Sequence, residues 1–162
     1  MLVNPQRAFL FFKEFHRFVN MGFRRINILP VYYTHWTDAQ LKILKKEFDK
    51  VSKYLNLGNR LDKIYMKNLY VEGETALYNS CLVVDCNGDI YPSSIILSRQ
   101  FLNLKPLLRL GNILDMSQLS EIRKKDVDID EYIRKFTPAL QLSSTYRVDG
   151  MLDCFLSTLK KY

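Results

Sequence analysis

The sequence predicts an α/β protein in two parts: a layered helix-and-strand segment, then a smaller α+β segment built on a β-hairpin. Three observations carry this. Two stretches with apolar residues at helical spacing flank a short apolar run, an Asn-Gly turn is bracketed by β-prone residues, and the 162 residues are 48% hydrophobic and 25% charged. That balance is ordinary for a globular chain and supplies one sizeable core or two small ones.

The elements follow in order. Asn4-Pro5 caps and starts a helix, and Phe9, Phe12, Phe15, His16 and Val19 recur at spacings of three and four, giving one apolar stripe that ends near Gly22. Residues 26–29 are a short apolar run, too close to Gly22 and Pro30 for a helical turn, and read as a buried strand. Residues 31–36 form an aromatic loop. Thr37 is the next N-cap, with Gln40 in the capping-box position, and Leu41, Leu44, Phe48, Val51 and Leu55 keep helical spacing up to Gly58. Helix, strand, loop and helix make a piece of a repeating α/β fold rather than a closed unit.

The second part changes character. Leu82-Val83-Val84 and Ile90-Tyr91 flank a turn containing Asn87-Gly88, a hairpin signal. A Leu-rich coil leads to Leu110-Gly111-Asn112-Ile113, then to a helix over residues 117–124. A polar stretch runs through Tyr132 to Phe136, and residues 148–159 hold a last amphipathic helix with Leu152, Phe155, Leu156 and Leu159.

Charge and cysteine usage limit the function classes. The formal net charge is +7, but Arg24-Arg25, Lys45-Lys46, Lys124-Lys125 and Lys160-Lys161 sit on separate segments with acids between them. A solvated surface is the reading, and a nucleic-acid partner is not expected without a contiguous patch. Three irregular cysteines, Cys81, Cys86 and Cys154, make no secreted disulfide framework and have no zinc or cluster spacing. Apolar stretches are broken every few residues, well short of the roughly 20 that cross a bilayer. The expectation is a cytoplasmic protein without a membrane partner.

The hairpin also carries a family resemblance. Cys86-Asn87-Gly88-Asp89-Ile90-Tyr91-Pro92-Ser93, followed by Leu110-Gly111-Asn112-Ile113 and a short helix, resembles the C-terminal SPASM or twitch region of radical S-adenosylmethionine enzymes. Gly22-Phe23-Arg24-Arg25-Ile26-Asn27-Ile28-Leu29-Pro30 resembles one of the last strands of the partial barrel that precedes that region. The resemblance implies residues 1–68 as a C-terminal segment of a partial (β/α) barrel and residues 69–162 as a SPASM-like domain. It also implies the activity: the C-terminal portion of a radical S-adenosylmethionine enzyme acting on a peptide or protein.

The departures define what this chain would lack. The family's Cys-x-x-x-Cys-x-x-Cys triplet, which binds the [4Fe-4S] cluster that chelates S-adenosylmethionine, does not occur in this sequence. Ser93 and Ser94 stand where an auxiliary-cluster cysteine would fall, and a neutral hydroxyl is a hard, weak ligand beside a thiolate. No metal and no cofactor is therefore expected on this chain alone. S-adenosylmethionine and [4Fe-4S] belong to the complete enzyme, and the expected partner is the remaining barrel portion or a chain supplying it. One edge of the strand at residues 26–29 would then have no partner within the chain.

Five residues are candidates for contact with ligands. Asn27 and Pro30 lie in the segment resembling the strand that contacts the adenine of S-adenosylmethionine; the alternative is a plain strand ending at proline. Tyr33, His35 and Trp36 follow the strand, where α/β enzymes place ligand-facing groups, and are the candidate substrate contacts. Packing for the aromatics, with Tyr32, and a capping or surface role for His35 are the alternatives. His16 reads as a core-edge histidine, and Asp85 and Asp89 as turn-forming carboxylates without a catalytic role. The function reading that competes with the enzyme is a non-catalytic peptide-binding module derived from one.

Overall fold

A computed structural model describes residues 1–57, 60–70, 80–115 and 127–159. The chain is a mixed α/β protein with small sheets, and it divides into two compact units, Met1–Gly73 with Pro138–Tyr162, and Glu74–Thr137. A single cut near residue 68 does not describe this division, because the last helix packs with the N-terminal residues. Amphipathic spacing shows that a helix needs a core but not which core it joins.

In the first unit, β1 (Leu2–Val3) pairs with β3 (Leu29–Pro30) and β2 (Arg25–Ile26) with β4 (Tyr65–Met66), two two-stranded parallel ladders that flank one segment and are together called its sheet. β2 and β3 are successive parts of one extended segment. Its odd-numbered residues bond to β1, with Leu29 N–H to Met1 O at 2.9 Å and Val31 N–H to Val3 O at 2.8 Å. Its even-numbered residues bond the other way, Arg24 O accepting Tyr65 N–H at 2.7 Å. The Asn68 side chain extends that ladder, taking Ile28 N–H at 2.8 Å and donating to Ile28 O at 2.9 Å. Both edges of the central segment are thus paired within the chain, so the expected unpartnered edge does not exist there.

The segment is also not buried on both faces. Ile26, Ile28 and Pro30 are buried with Val3 and Met66, whereas Arg25, Leu29, Leu2 and Tyr65 are exposed. Among the described residues, helices therefore cover one face of the sheet only.

Those helices are α1 (Phe11–Asn20), preceded by a 3-10 turn at Pro5–Leu10, and α2 (Asp38–Asn56). Asn4 caps the 3-10 turn by accepting Arg7 N–H at 2.9 Å. A tighter winding over its six residues, about three per turn, shifts the phase of α1. The buried stripe is Ala8, Phe11, Phe15 and Val19, while Phe9 of the expected stripe is 58% exposed. α1 stops at Gly22, whose φ of 93° lets Phe23 N–H return to Phe18 O at 3.1 Å and brings the two rings to 5.6 Å. The first-turn N–H of Phe12 is taken at 3.0 Å by Glu47, a buried carboxylate on α2 that also pairs with Lys50. α2 starts with the predicted Thr37–Gln40 capping box and buries all five predicted apolar positions.

The long final helix, α5 (Ala139–Leu159), completes this core. It begins nine residues before position 148, where the apolar spacing predicts its start. Phe155 stacks on Phe48 with ring centroids at 4.6 Å, and Val148, Leu152, Leu156 and Leu159 are buried.

In the second unit, β5 (Ser80–Val84), β6 (Asp89–Ser93) and β7 (Gly111–Asn112) form an antiparallel sheet in that order. Gly88, at φ 80°, closes the hairpin, with Gly88 N–H on Asp85 O at 3.0 Å. An added Cβ there would stand 3.0 Å from Ile113 Cγ2. The Leu-rich coil is in fact 3-10 turns at Ser94–Leu97 and Arg99–Leu104, then α3 (Lys105–Leu108). The polar stretch is helical, α4 (Ile129–Phe136), capped by Asp128 and charged in the sense its dipole favours. The helix expected over residues 117–124 lies outside the described residues.

Candidate functional site

The loop at residues 31–36 leaves the C-terminal end of the central strand, and α5 holds it residue by residue. Tyr33 is buried with φ 56°, a left-handed conformation that a bulky side chain enters only when its surroundings impose it. Its N–H donates to Thr145 Oγ1 at 2.7 Å, and that hydroxyl donates to Gln141 O at 2.9 Å. Tyr32 OH donates to Asp149 Oδ1 at 2.5 Å. The Trp36 indole donates to Val31 O at 3.0 Å, closing the loop on itself, and Ser144 Oγ lies 3.5 Å from both Trp36 O and His35 Nδ1. Arg147 and Asp38 form an exposed ion pair at 2.6 Å.

This loop is electrostatically coupled to the helix. Burial, and then the bond to Asp149, pushes the Tyr32 phenol well above its ordinary value, so it stays a donor through the neutral range. Burial likewise pushes Asp149 upward, with the bond from Tyr32 pulling the other way and Asp153 adding to the rise. A shallow groove of about 440 Å³ runs on from the loop, lined by Asp38, Leu41, Lys42, Lys45, Arg147 and Met151.

The predicted contact residues do not converge on one ligand. Asn27 is half-buried on the uncovered face of the sheet, while Pro30, three residues on, is buried on the helix-covered face. Tyr33 is 5% exposed and Trp36 fully buried; of the three candidate substrate contacts only His35 is exposed. Packing is what holds the two aromatics. The residues that fix the loop, Ser144, Thr145 and Asp149, were not singled out from the sequence. The available signal was a run of small polar residues inside an otherwise apolar helix.

The hairpin in the second unit carries a second polar cluster. Asp85 accepts Asn87 N–H at 2.9 Å and Asp89 N–H at 3.1 Å, as the turn reading requires, and also pairs with Lys105 at 2.8 Å. Asp89 instead reaches across the sheet to Asn112 at 2.9 Å and Arg109 at 2.6 Å. Lys105 beside Asp85, and Asn112 then Arg109 on Asp89, hold both carboxyls below their ordinary range. These groups brace β5, β6, β7 and α3. Ser93 is fully buried, and its hydroxyl accepts Ile95 N–H at 3.3 Å to start the next 3-10 turn.

Cys81, Cys86 and Cys154 are exposed free thiols, and among the described residues no three His, Cys, Asp or Glu side chains are grouped to hold a metal. No described helix is long and apolar enough to cross a membrane. Comparison with protein-family models and with curated proteins gives no match.

Proposed function

We propose that the chain is the C-terminal portion of a radical S-adenosylmethionine enzyme that modifies a peptide or protein, a late segment of a partial (β/α) barrel with a SPASM-like unit, and not catalytically complete alone. The observation that carries this reading is the parallel sheet with one naked face. Parallel strands are found almost only where both faces are covered. Here Leu2 is 72% exposed, and Leu29 and Tyr65 are each 42% exposed, opposite the helix-covered face. A barrel wall has that asymmetry, helices outside and strands facing an interior. The order of the hairpin and the Gly111–Asn112 strand adds support. On this reading the cluster and S-adenosylmethionine are held by residues of the rest of the barrel, and Asn27 is the one adenine-contact candidate on the interior face.

The competing reading, a peptide-binding module without chemistry, is favoured by one detail: Ser93 serves as a buried cap where a cluster ligand would be needed.

The test pairs the chain with a polypeptide, encoded beside it, that carries the cysteine triplet. The expected result is a complex that binds iron, sulfide and S-adenosylmethionine, while the chain alone does not bind S-adenosylmethionine at micromolar levels by calorimetry. Leu29→Lys, on the naked face, should abolish assembly. A monodisperse, cooperatively melting monomer that ignores such a polypeptide would establish the finished binding module instead.

A further inference from the structure

α1 ends in an exposed apolar tip with cations around it. Phe18 is 41%, Met21 62% and Phe23 50% exposed, and every residue from 20 to 25 lies at the surface. An added Cβ at Gly22 would meet nothing within 4 Å, so the turn projects into open space. Its amides are nonetheless satisfied, Met21 N–H by Arg17 O and Gly22 N–H by Val19 O, both at 3.0 Å, and Phe23 N–H by Phe18 O at 3.1 Å. The Arg24 guanidinium adds a bond to Val19 O at 2.6 Å, at the carbonyl end of the helix. Arg17, Arg24 and Arg25 are exposed beside these side chains, and no acid occurs between Glu14, which pairs with Arg7, and Asp38. Parallel register sets Arg25 beside Tyr65, which brings the exposed Lys63, two residues earlier, to the same end of the sheet; Asp62 is the one acid in residues 60–70.

We propose that this tip docks on the surface of an anionic lipid bilayer, with Phe18, Met21 and Phe23 entering the boundary between headgroups and acyl chains and the four cations staying among the phosphates. An interfacial anchor pairs an apolar set with a basic rim in this way. The satisfied amides matter for the same reason, since an unpaired N–H taken out of water is costly. Charge and ring geometry favour a bilayer over two other occupants. A second copy would bring Arg17, Arg24, Arg25 and Lys63 against the same cations. A nucleic acid would need free ring faces for its bases to stack on, whereas Phe18 and Phe23 already meet edge to face, with centroids 5.6 Å apart and planes at 74°. No described helix is long and apolar enough to cross a membrane, so the contact is peripheral, and salt weakens it. The tip stands where β2 begins, opposite the strand ends at which a barrel's site opens, so docking is independent of the barrel reading.

The experiment is co-sedimentation of the whole chain with vesicles of phosphatidylcholine alone and with vesicles of equal parts phosphatidylcholine and phosphatidylglycerol. The expected result is binding to the mixed vesicles that falls with added salt, and little binding to phosphatidylcholine alone. Phe23→Ser should weaken it about tenfold, the low end for one buried aromatic side chain, and Arg17→Gln about fivefold. Leu29→Ser and Lys45→Gln, which remove an apolar side chain and a charge elsewhere, should leave it unchanged. All four positions are exposed, and matched melting curves verify that each variant is folded. An absence of binding to the mixed vesicles overturns the proposal, as does equal binding to both kinds. Indifference to Phe23→Ser, or an equal loss with Lys45→Gln, also overturns it and leaves only the attraction of net charge. A single-stranded oligonucleotide that displaces the vesicles and shows the same dependence on Phe23 and Arg17 would assign the tip to nucleic acid instead. Self-association abolished by Phe23→Ser would assign it to a second copy and equally refute the proposal.

Discussion

Replacing Thr145 by valine isolates the contact that holds the aromatic loop in shape. Valine fills nearly the same space, so no large cavity opens, but the buried Tyr33 N–H loses its acceptor at 2.7 Å. An unsatisfied buried donor costs about 1–3 kcal/mol. The bond also helps keep Tyr33 at φ 56°, a conformation that costs a non-glycine residue roughly 1–2 kcal/mol. Part of that strain is released when the loop relaxes, so the net loss should be about 2 kcal/mol. For a chain of 162 residues this lowers Tm by roughly 4–8 °C. Trp36 is the only tryptophan, fully buried in the same loop, so its fluorescence tracks the transition where the change is made. Thr145→Ser keeps the hydroxyl and loses one methyl group, about 0.8 kcal/mol. If Thr145→Val melts within about 0.5 kcal/mol of the parent, the range of a neutral surface change, or if serine is as damaging as valine, the bond does not hold the loop.

Because its phenol is raised above an unfolded value near 10, Tyr32 contributes stability that is complete below that pH and lost as pH climbs above it. Urea midpoints between pH 8 and 11 should fall in the parent and flatten in Tyr32→Phe, which leaves Asp149 without its donor and starts lower. Glu47→Ala removes the acceptor of the Phe12 N–H and should cost about 1–3 kcal/mol in urea unfolding; a neutral outcome would mean water replaces the carboxylate. Asp85 and Asp89 have depressed pKa values, so their contribution is present above the ordinary carboxylate range and lost as pH falls through their folded values. Acid unfolding followed by amide exchange in the hairpin should begin at lower pH for the parent than for Lys105→Met, and coincident curves would mean the ion pair is idle.

What could be read from the sequence was whatever depends on neighbours close in the chain. The Thr37 box, the buried positions of α2, the end of α1 near Gly22 and the hairpin around Gly88 are all set by interactions within a turn or two. The first helix was read correctly at Phe15 and Val19 and wrongly at Phe9, since Pro5 and Asn4 announce a helix without saying that its first six residues are of the tighter kind. β1 and β4 have two residues each, too few to show any period. α4 buries only Ile129 and Ile133, a single apolar repeat. The candidate loop was legible as an aromatic cluster after a strand. Its burial was not, because Thr145 and Asp149 reach it from more than a hundred residues away.

That distance has a consequence for synthesis. Until the C-terminal helix leaves the ribosome, Phe48, Val51 and Leu55 have no α5 to cover them, and the loop has nothing to impose its left-handed turn. The second unit, encoded between, can fold first. The nascent chain therefore carries a greasy, half-built first unit whose completion waits on its own C-terminal helix, and a chain cut before residue 138 should be rescued by that helix supplied as a separate peptide.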